Sequence, residues 1–193
     1  MSLRRVCVFC GSKEGNSPVF REAAAAFGRA LARKKLDLVY GGAGNGLMGA
    51  VASAVLEGGG HVIGVVPRGL ARQEFAHPGL SEHHLVDDLG RRKQLMAEKA
   101  DAFVALPGGF GTMDELFEML TEAQLGIHSK PIGLLDTAGY YGHLTQWIAG
   151  AVQHGFIPAA FKDVLAVSAD PDQLVDMLLA HQPPAATVAW IKR

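Results

Sequence analysis

Several things are missing from this 193-residue chain, and each absence excludes a class of protein. It has no basic excess: 18 Lys and Arg against 19 Asp and Glu leave a formal net charge of −1. Nothing in that balance can neutralise a phosphate backbone, so duplex nucleic acid is not an expected partner. Long apolar runs are also absent. The run after the basic start Met1–Arg5, Val6 to Cys10, is too short for a signal peptide. The longest stretch free of Asp, Glu, Lys and Arg, Thr137 to Phe161, is broken by Gly, Gln, His, Thr and Pro158, and does not read as a membrane span. A cytoplasmic protein is expected. The chain contains no G-x-S-x-G nucleophile elbow, and its eight histidines show no metal-ligand spacing, so neither a serine hydrolase nor a metal site is expected. Internal repeats, linkers and low-complexity segments are missing too, which favours one domain over residues 1–193 with the last ten or so as a tail.

There are only two cysteines, Cys7 and Cys10. A redox C-x-x-C should open a helix, where the dipole lowers the thiol pKa. This one lies in a β-like run, where residues three apart face opposite ways, so two buried structural thiols are expected.

What the chain has in excess is glycine: 24, about 12% against a usual share of roughly 7%. The excess is local, within Gly41–Gly69 and at Gly108, Gly109 and Gly111. Clusters of this kind mark turns or close approach of backbone to something else. Around them the periodicity alternates. Apolar runs at Val6–Cys10, Leu36–Tyr40, His61–Val66, Ala102–Leu106, Pro131–Leu135 and Val164–Val167 alternate with helical patterns, while Arg68–Gly90 shows no clear period. Six strands of this kind, each a near-continuous apolar run, predict a mostly parallel sheet. The fold class is α/β: a doubly wound, Rossmann-like three-layer sandwich. Ligands of such folds bind beyond the carboxyl ends of the strands, at the switch in strand order.

Three segments, two at strand ends and one at a helix start, carry candidate chemistry. Gly44-Asn45-Gly46-Leu47-Met48-Gly49 matches G-x-G-x-x-G, but on the second strand, and the third strand ends in Pro67-Arg68 instead of an acidic residue. NADP binding through Arg68 is one reading; a tight strand–helix turn is the other. Pro107-Gly108-Gly109-Phe110-Gly111-Thr112-Met113-Asp114-Glu115 places glycines at a helix start, where amides and the helix dipole converge on an anion, most simply a phosphate. No lysine follows, so it is not a Walker loop. Thr112-x-x-Glu115 can also be read as a capping box, although a cap does not need the glycines. Arg91-Arg92-Lys93 opens another helix against its dipole, either as a solvated turn paired with Asp87 and Asp88 or as cations meeting an anionic ligand.

These residues resemble a known family. Pro107–Glu115 is similar to the PGGxGTxxE signature of the LONELY GUY (LOG) family, and Arg92-Lys93 to its second signature. Tyr40–Gly49, Gln124–Pro131 and Gly139-Tyr140-Tyr141 also fit, so the resemblance spans Val6 to Phe161. It implies a cytokinin riboside 5′-monophosphate phosphoribohydrolase. Such an enzyme splits AMP or N6-modified AMP into free base and ribose 5-phosphate, with no cofactor or metal, as a homodimer with sites near the subunit interface. The resemblance implies Arg92 and Glu115 as the catalytic pair. It implies Glu74, Lys93, Gly108, Gly109, Phe110, Gly111, Thr112, Met113, Asp114 and Thr121 as substrate-binding, with Ser12 shaping the nucleotide pocket. Two departures stand out: Asp88-Leu89-Gly90-Arg91 replaces a Met-His lead-in, and Ala43 replaces a third glycine. The old label of the family, lysine decarboxylase, requires a Schiff-base lysine for which no context is visible. A non-catalytic carrier of nucleotide or molybdenum cofactor is the rival class, but it need not keep both Arg92 and Glu115.

Overall fold

The computed structural model describes residues 3–71 and 76–182. Glu74 and the expected C-terminal tail therefore lie outside the described residues.

Among the described residues, seven parallel strands form one sheet in the order β4-β3-β2-β1-β5-β6-β7. They are β1 (Arg5–Phe9), β2 (Asp37–Tyr40), β3 (Val62–Pro67), β4 (Glu82–Val86), β5 (Ala102–Ala105), β6 (Ile132–Leu135) and β7 (Leu165–Ser168). The helices are α1 (Pro18–Arg33), α2 (Gly46–Glu57), the short α3 (Arg68–Ala71), α4 (Leu89–Lys99), α5 (Phe110–Gln124), α6 (Gly142–Gln153) and α7 (Pro171–Leu179). From β1 the chain builds outward to β4, then returns to the other side of β1 with β5. That return creates a switch point between β1 and β5.

The period-2 alternation of β1 divides its side chains between two cores. Val6, Val8 and Cys10 join a cluster with Phe27 and Leu31 of α1, Val51 of α2 and Leu174 of α7. Cys7 and Phe9 join Met96 of α4 and Leu116 and Met119 of α5 on the opposite face. Both thiols are free and buried, as expected of structural cysteines, and burial pushes both well above the ordinary thiol range.

The strand that the sequence reading missed is β4, Glu-His-His-Leu-Val. It lies at the sheet edge beside β3, with only Val86 fully buried. Polar residues are tolerated there because one side of the ladder is open. At its foot, Glu82 gathers His84 at 3.0 Å, Lys99 at 3.5 Å and His61 at 3.7 Å. Among the described residues no helix is long and apolar enough to cross a membrane.

Candidate active site

The exits of β1, β2 and β5 are tied together by backbone bonds. The Gly11 amide donates to the Pro107 carbonyl at 3.0 Å, and the Leu47 amide donates to the Gly11 carbonyl at 3.1 Å. Gly46 starts α2 at φ +60°, with a hypothetical Cβ only 2.3–2.4 Å from the Ser12 backbone. Its glycine is thus a packing requirement of the turn. Arg68, which the dinucleotide reading invoked, pairs with Asp87 at 3.2 Å on the surface and does not line the cavity beside this turn.

Between these exits lies a cavity of about 1010 Å³. Of the residues singled out from the sequence, Ser12, Arg92, Gly108, Gly109, Phe110, Gly111, Thr112 and Glu115 line it. Lys93, Met113, Asp114 and Thr121 are placed elsewhere on α4 and α5. Lys93 Nζ reaches Glu118 at 2.8 Å and Asp114 at 2.9 Å, and those partners raise its pKa. Met113 packs against the α4–α5 core, and the Thr121 hydroxyl donates to the Phe117 carbonyl. The cavity also takes in Met48 and Tyr140, which lie in matched segments but were given no role, and Lys13, Asn16 and Phe20, which no motif flags because they meet the site only through the strand order.

The helix α5 begins at Phe110, with Gly109 as N-cap and no side-chain cap. Gly111 therefore lies within the first turn instead of ahead of it. Its first-turn amides lack intrahelical partners and carry the positive end of the dipole. The capping-box reading fails on this register. Thr112 is the third helical residue and is buried, and Glu115, a turn further on, does not reach back.

Instead, the Glu115 carboxylate accepts from Arg92 Nη1 at 3.2 Å. Arg92 Nε in turn donates to the Val65 carbonyl at 3.2 Å. Helix α4 starts at Leu89, where the Asp88 side chain caps it by accepting from the Arg91 amide at 2.7 Å. The basic triplet then splits three ways: Arg91 to Glu98 in solvent, Arg92 into the cavity, Lys93 to α5. Both members of the central pair are mostly buried, at 16% and 10% side-chain exposure. Burial raises the Glu115 carboxyl to about 7, partly opposed by the Arg92 charge. A carboxylate poised near neutrality in the same cavity as an uncapped helix N-terminus is suited to acid–base or cation-stabilising chemistry on an anionic ligand.

Gly41, at the exit of β2, makes room for this pair. A Cβ there would stand 1.6 Å from Arg92 Nη2 and 2.4 Å from Met48 Cε. No group of three or more His, Cys, Asp and Glu among the described residues is arranged to hold a metal ion.

Fold and cleft together define a doubly wound α/β protein with a pocket at its switch point, lined by a glycine-rich helix start and by a buried guanidinium–carboxylate pair. The family described as "Possible lysine decarboxylase" matches residues 48–178. Over 180 residues the chain is 46% identical to the cytokinin riboside 5′-monophosphate phosphoribohydrolase LOG7 of Arabidopsis thaliana, covering 93% of this chain and 83% of the relative. It is 44% identical over 191 residues to LOG1 of the same plant, covering 97% and 90%. The chain belongs to this family, the LOG proteins. Among solved structures, the molybdenum cofactor binding protein from Rippkaea orientalis superposes with a TM-score of 0.71 at 18% identity, covering 93% of this chain and 98% of that one. At that identity the likeness is one of fold.

Proposed function

We propose that the protein is a nucleoside 5′-monophosphate phosphoribohydrolase, hydrolysing the N-glycosidic bond of AMP and N6-modified AMP to free base and ribose 5-phosphate. The observation that carries this reading is the Arg92–Glu115 pair in the same cavity as the first turn of α5. The identity of 44–46% to curated phosphoribohydrolases over more than nine tenths of the chain supports it.

The first-turn amides of α5 and the Thr112 hydroxyl bind the 5′-phosphate, and Ser12 closes that end. Glu115 lies five residues beyond Phe110, about 7.5 Å along the helix, which is the reach of a ribose. Departure of the base leaves an oxocarbenium-like ribosyl cation, which a carboxylate beside it stabilises. Water adds to the anomeric carbon as the carbon–nitrogen bond breaks. Glu115 takes the water proton as the hydroxyl bonds to the anomeric carbon, and that proton is passed on to the nitrogen of the departing base, which leaves the carboxylate ionised again. Arg92 fixes the carboxylate and is itself held by Val65. Phosphate binding orients the ribose for this step.

The protein acts as a homodimer. Phe110 is 97% exposed, and Trp147, 57% exposed, packs edge-on against Phe117. Lys93, Met113, Asp114 and Thr121 lie outside the cavity on α4 and α5, and the dimer contact brings this region of one copy to the site of the other. Two unpaired thiols suit a reducing, cytoplasmic setting.

The test is incubation with AMP and with N6-isopentenyl-AMP, followed by chromatography for free base and ribose 5-phosphate. Release of both products supports the reading; tight binding without release would identify a carrier instead.

A further inference from the structure

The loop carrying the helix start is held from behind by the segment after β6. There Asp136 accepts the Tyr141 amide at 2.6 Å, closing a turn in which Ala138 adopts φ 55°, a region a non-glycine residue seldom occupies. The turn presents two tyrosines to the β5–α5 connection. Tyr141, buried, donates its hydroxyl to the Leu106 carbonyl at 2.6 Å. Tyr140 donates its hydroxyl to the Gly108 carbonyl, also at 2.6 Å. Pro107, between them, has its carbonyl taken by the Gly11 amide. Three successive carbonyls are thus tied.

The third tie has a consequence for the site. The Gly108–Gly109 peptide is flanked by two glycines, so its plane has little steric restraint of its own. In a trans peptide the carbonyl and the amide point in opposite directions. Anchoring the Gly108 carbonyl therefore sets the direction of the Gly109 amide, the donor at the N-cap of α5. A flipped plane would turn the negative end of the carbonyl to where an anion must bind.

We infer that Tyr140 is a positioning residue for phosphate binding, acting through the Gly108–Gly109 peptide; this rests on the phosphoribohydrolase reading above. The ring of Tyr140 has its own supports, edge-on to Phe20 at 5.9 Å and to Tyr141 at 5.1 Å. Removing only the hydroxyl therefore keeps the ring in place.

The experiment is titration calorimetry of wild type and Y140F with ribose 5-phosphate and with adenosine, which lacks the phosphate, together with steady-state kinetics on AMP. Loss of one short hydrogen bond predicts about tenfold weaker ribose 5-phosphate binding in Y140F. Adenosine affinity stays unchanged, and KM for AMP rises about tenfold with kcat within about twofold. Equal ribose 5-phosphate affinity in both proteins overturns the inference, as does an equal loss for adenosine, which would mark general disruption of the pocket. A wild type that binds no ribose 5-phosphate overturns the phosphate assignment itself, a result distinct from failure at Tyr140 alone.

Discussion

Arg92 and Glu115 meet at 3.2 Å although 23 residues of chain separate them, α4 and α5 each delivering one side chain to the same end of the sheet. The guanidinium is tethered to Val65, so the carboxylate is oriented by a fixed partner. If the carboxylate stabilises the ribosyl cation, E115Q keeps shape and hydrogen bonding but removes the charge. The expected outcome is a kcat lowered by about 10²–10³, with AMP affinity changed only a few-fold. Base release measured by chromatography, with calorimetric binding in parallel, checks both parts. Near-normal turnover would remove Glu115 from the chemistry.

The same pair sets the pH dependence. Burial raises the Glu115 carboxyl to about 7, and the Arg92 charge works against that rise. The ionised form is the working form, so kcat/KM should climb with pH to a plateau, with its midpoint near neutrality. In R92Q the opposing charge is gone, and the midpoint should move upward. A pH–rate profile of the two proteins decides this; a midpoint that stays put or falls contradicts the coupling.

Gly41 offers a test from the opposite direction. A methyl group at this position would occupy the place of Arg92 Nη2, and the guanidinium must leave it, whereas the Met48 side chain can yield at its flexible end. G41A is therefore expected to lower kcat/KM to about the level of R92Q while leaving the melting temperature within a few degrees. Because both changes remove one interaction, the double variant G41A/R92Q should be little worse than R92Q alone. Additive losses in that cycle would show that Gly41 acts through something other than Arg92.

The parts legible in the sequence were those with a local signature. Six strands were readable because each is a continuous apolar run; five of them are buried on both faces, and β7, at the far edge of the sheet, is apolar although only partly covered. The seventh, β4, was not, since an edge strand reading Glu-His-His-Leu has no such run and its alternation is masked by polar side chains on both faces. The helix start at Phe110 was legible from its glycines, but its register was not. The helix begins three residues earlier than the register in which Thr112 would be its N-cap, so Thr112 lies within it. The partnership of Arg92 with Glu115 was reached through family resemblance, for no spacing rule joins residues on separate helices across a strand. Gly41 and Tyr140 were illegible as functional positions for the same reason. Their roles depend on groups 51 and 32 residues away: Arg92 Nη2 occupies the space where a Cβ of residue 41 would stand, and the Tyr140 hydroxyl meets the Gly108 carbonyl at 2.6 Å.

The buried carboxylate also leaves a mark on stability. In the unfolded chain Glu115 titrates near its ordinary 4.5; in the folded protein it titrates at about 7. Between those values the folded state holds the proton and the unfolded state does not, so stability falls as pH rises through the window. The full swing is on the order of 3 kcal/mol, present below pH 4.5 and lost above 7. E115Q cannot titrate. It also leaves Arg92 without its partner, but the guanidinium stays charged throughout this range, so that cost is constant with pH. The difference in unfolding free energy between E115Q and wild type should therefore grow in favour of E115Q from pH 5 to pH 8, whatever its starting sign. Urea unfolding of both proteins at several pH values measures it, with the other carboxylates cancelling in the difference. A difference that stays flat across the window would mean that the Glu115 proton is held no more tightly in the fold than in the open chain, and the assignment of a neutral-range titration to this carboxylate would fall.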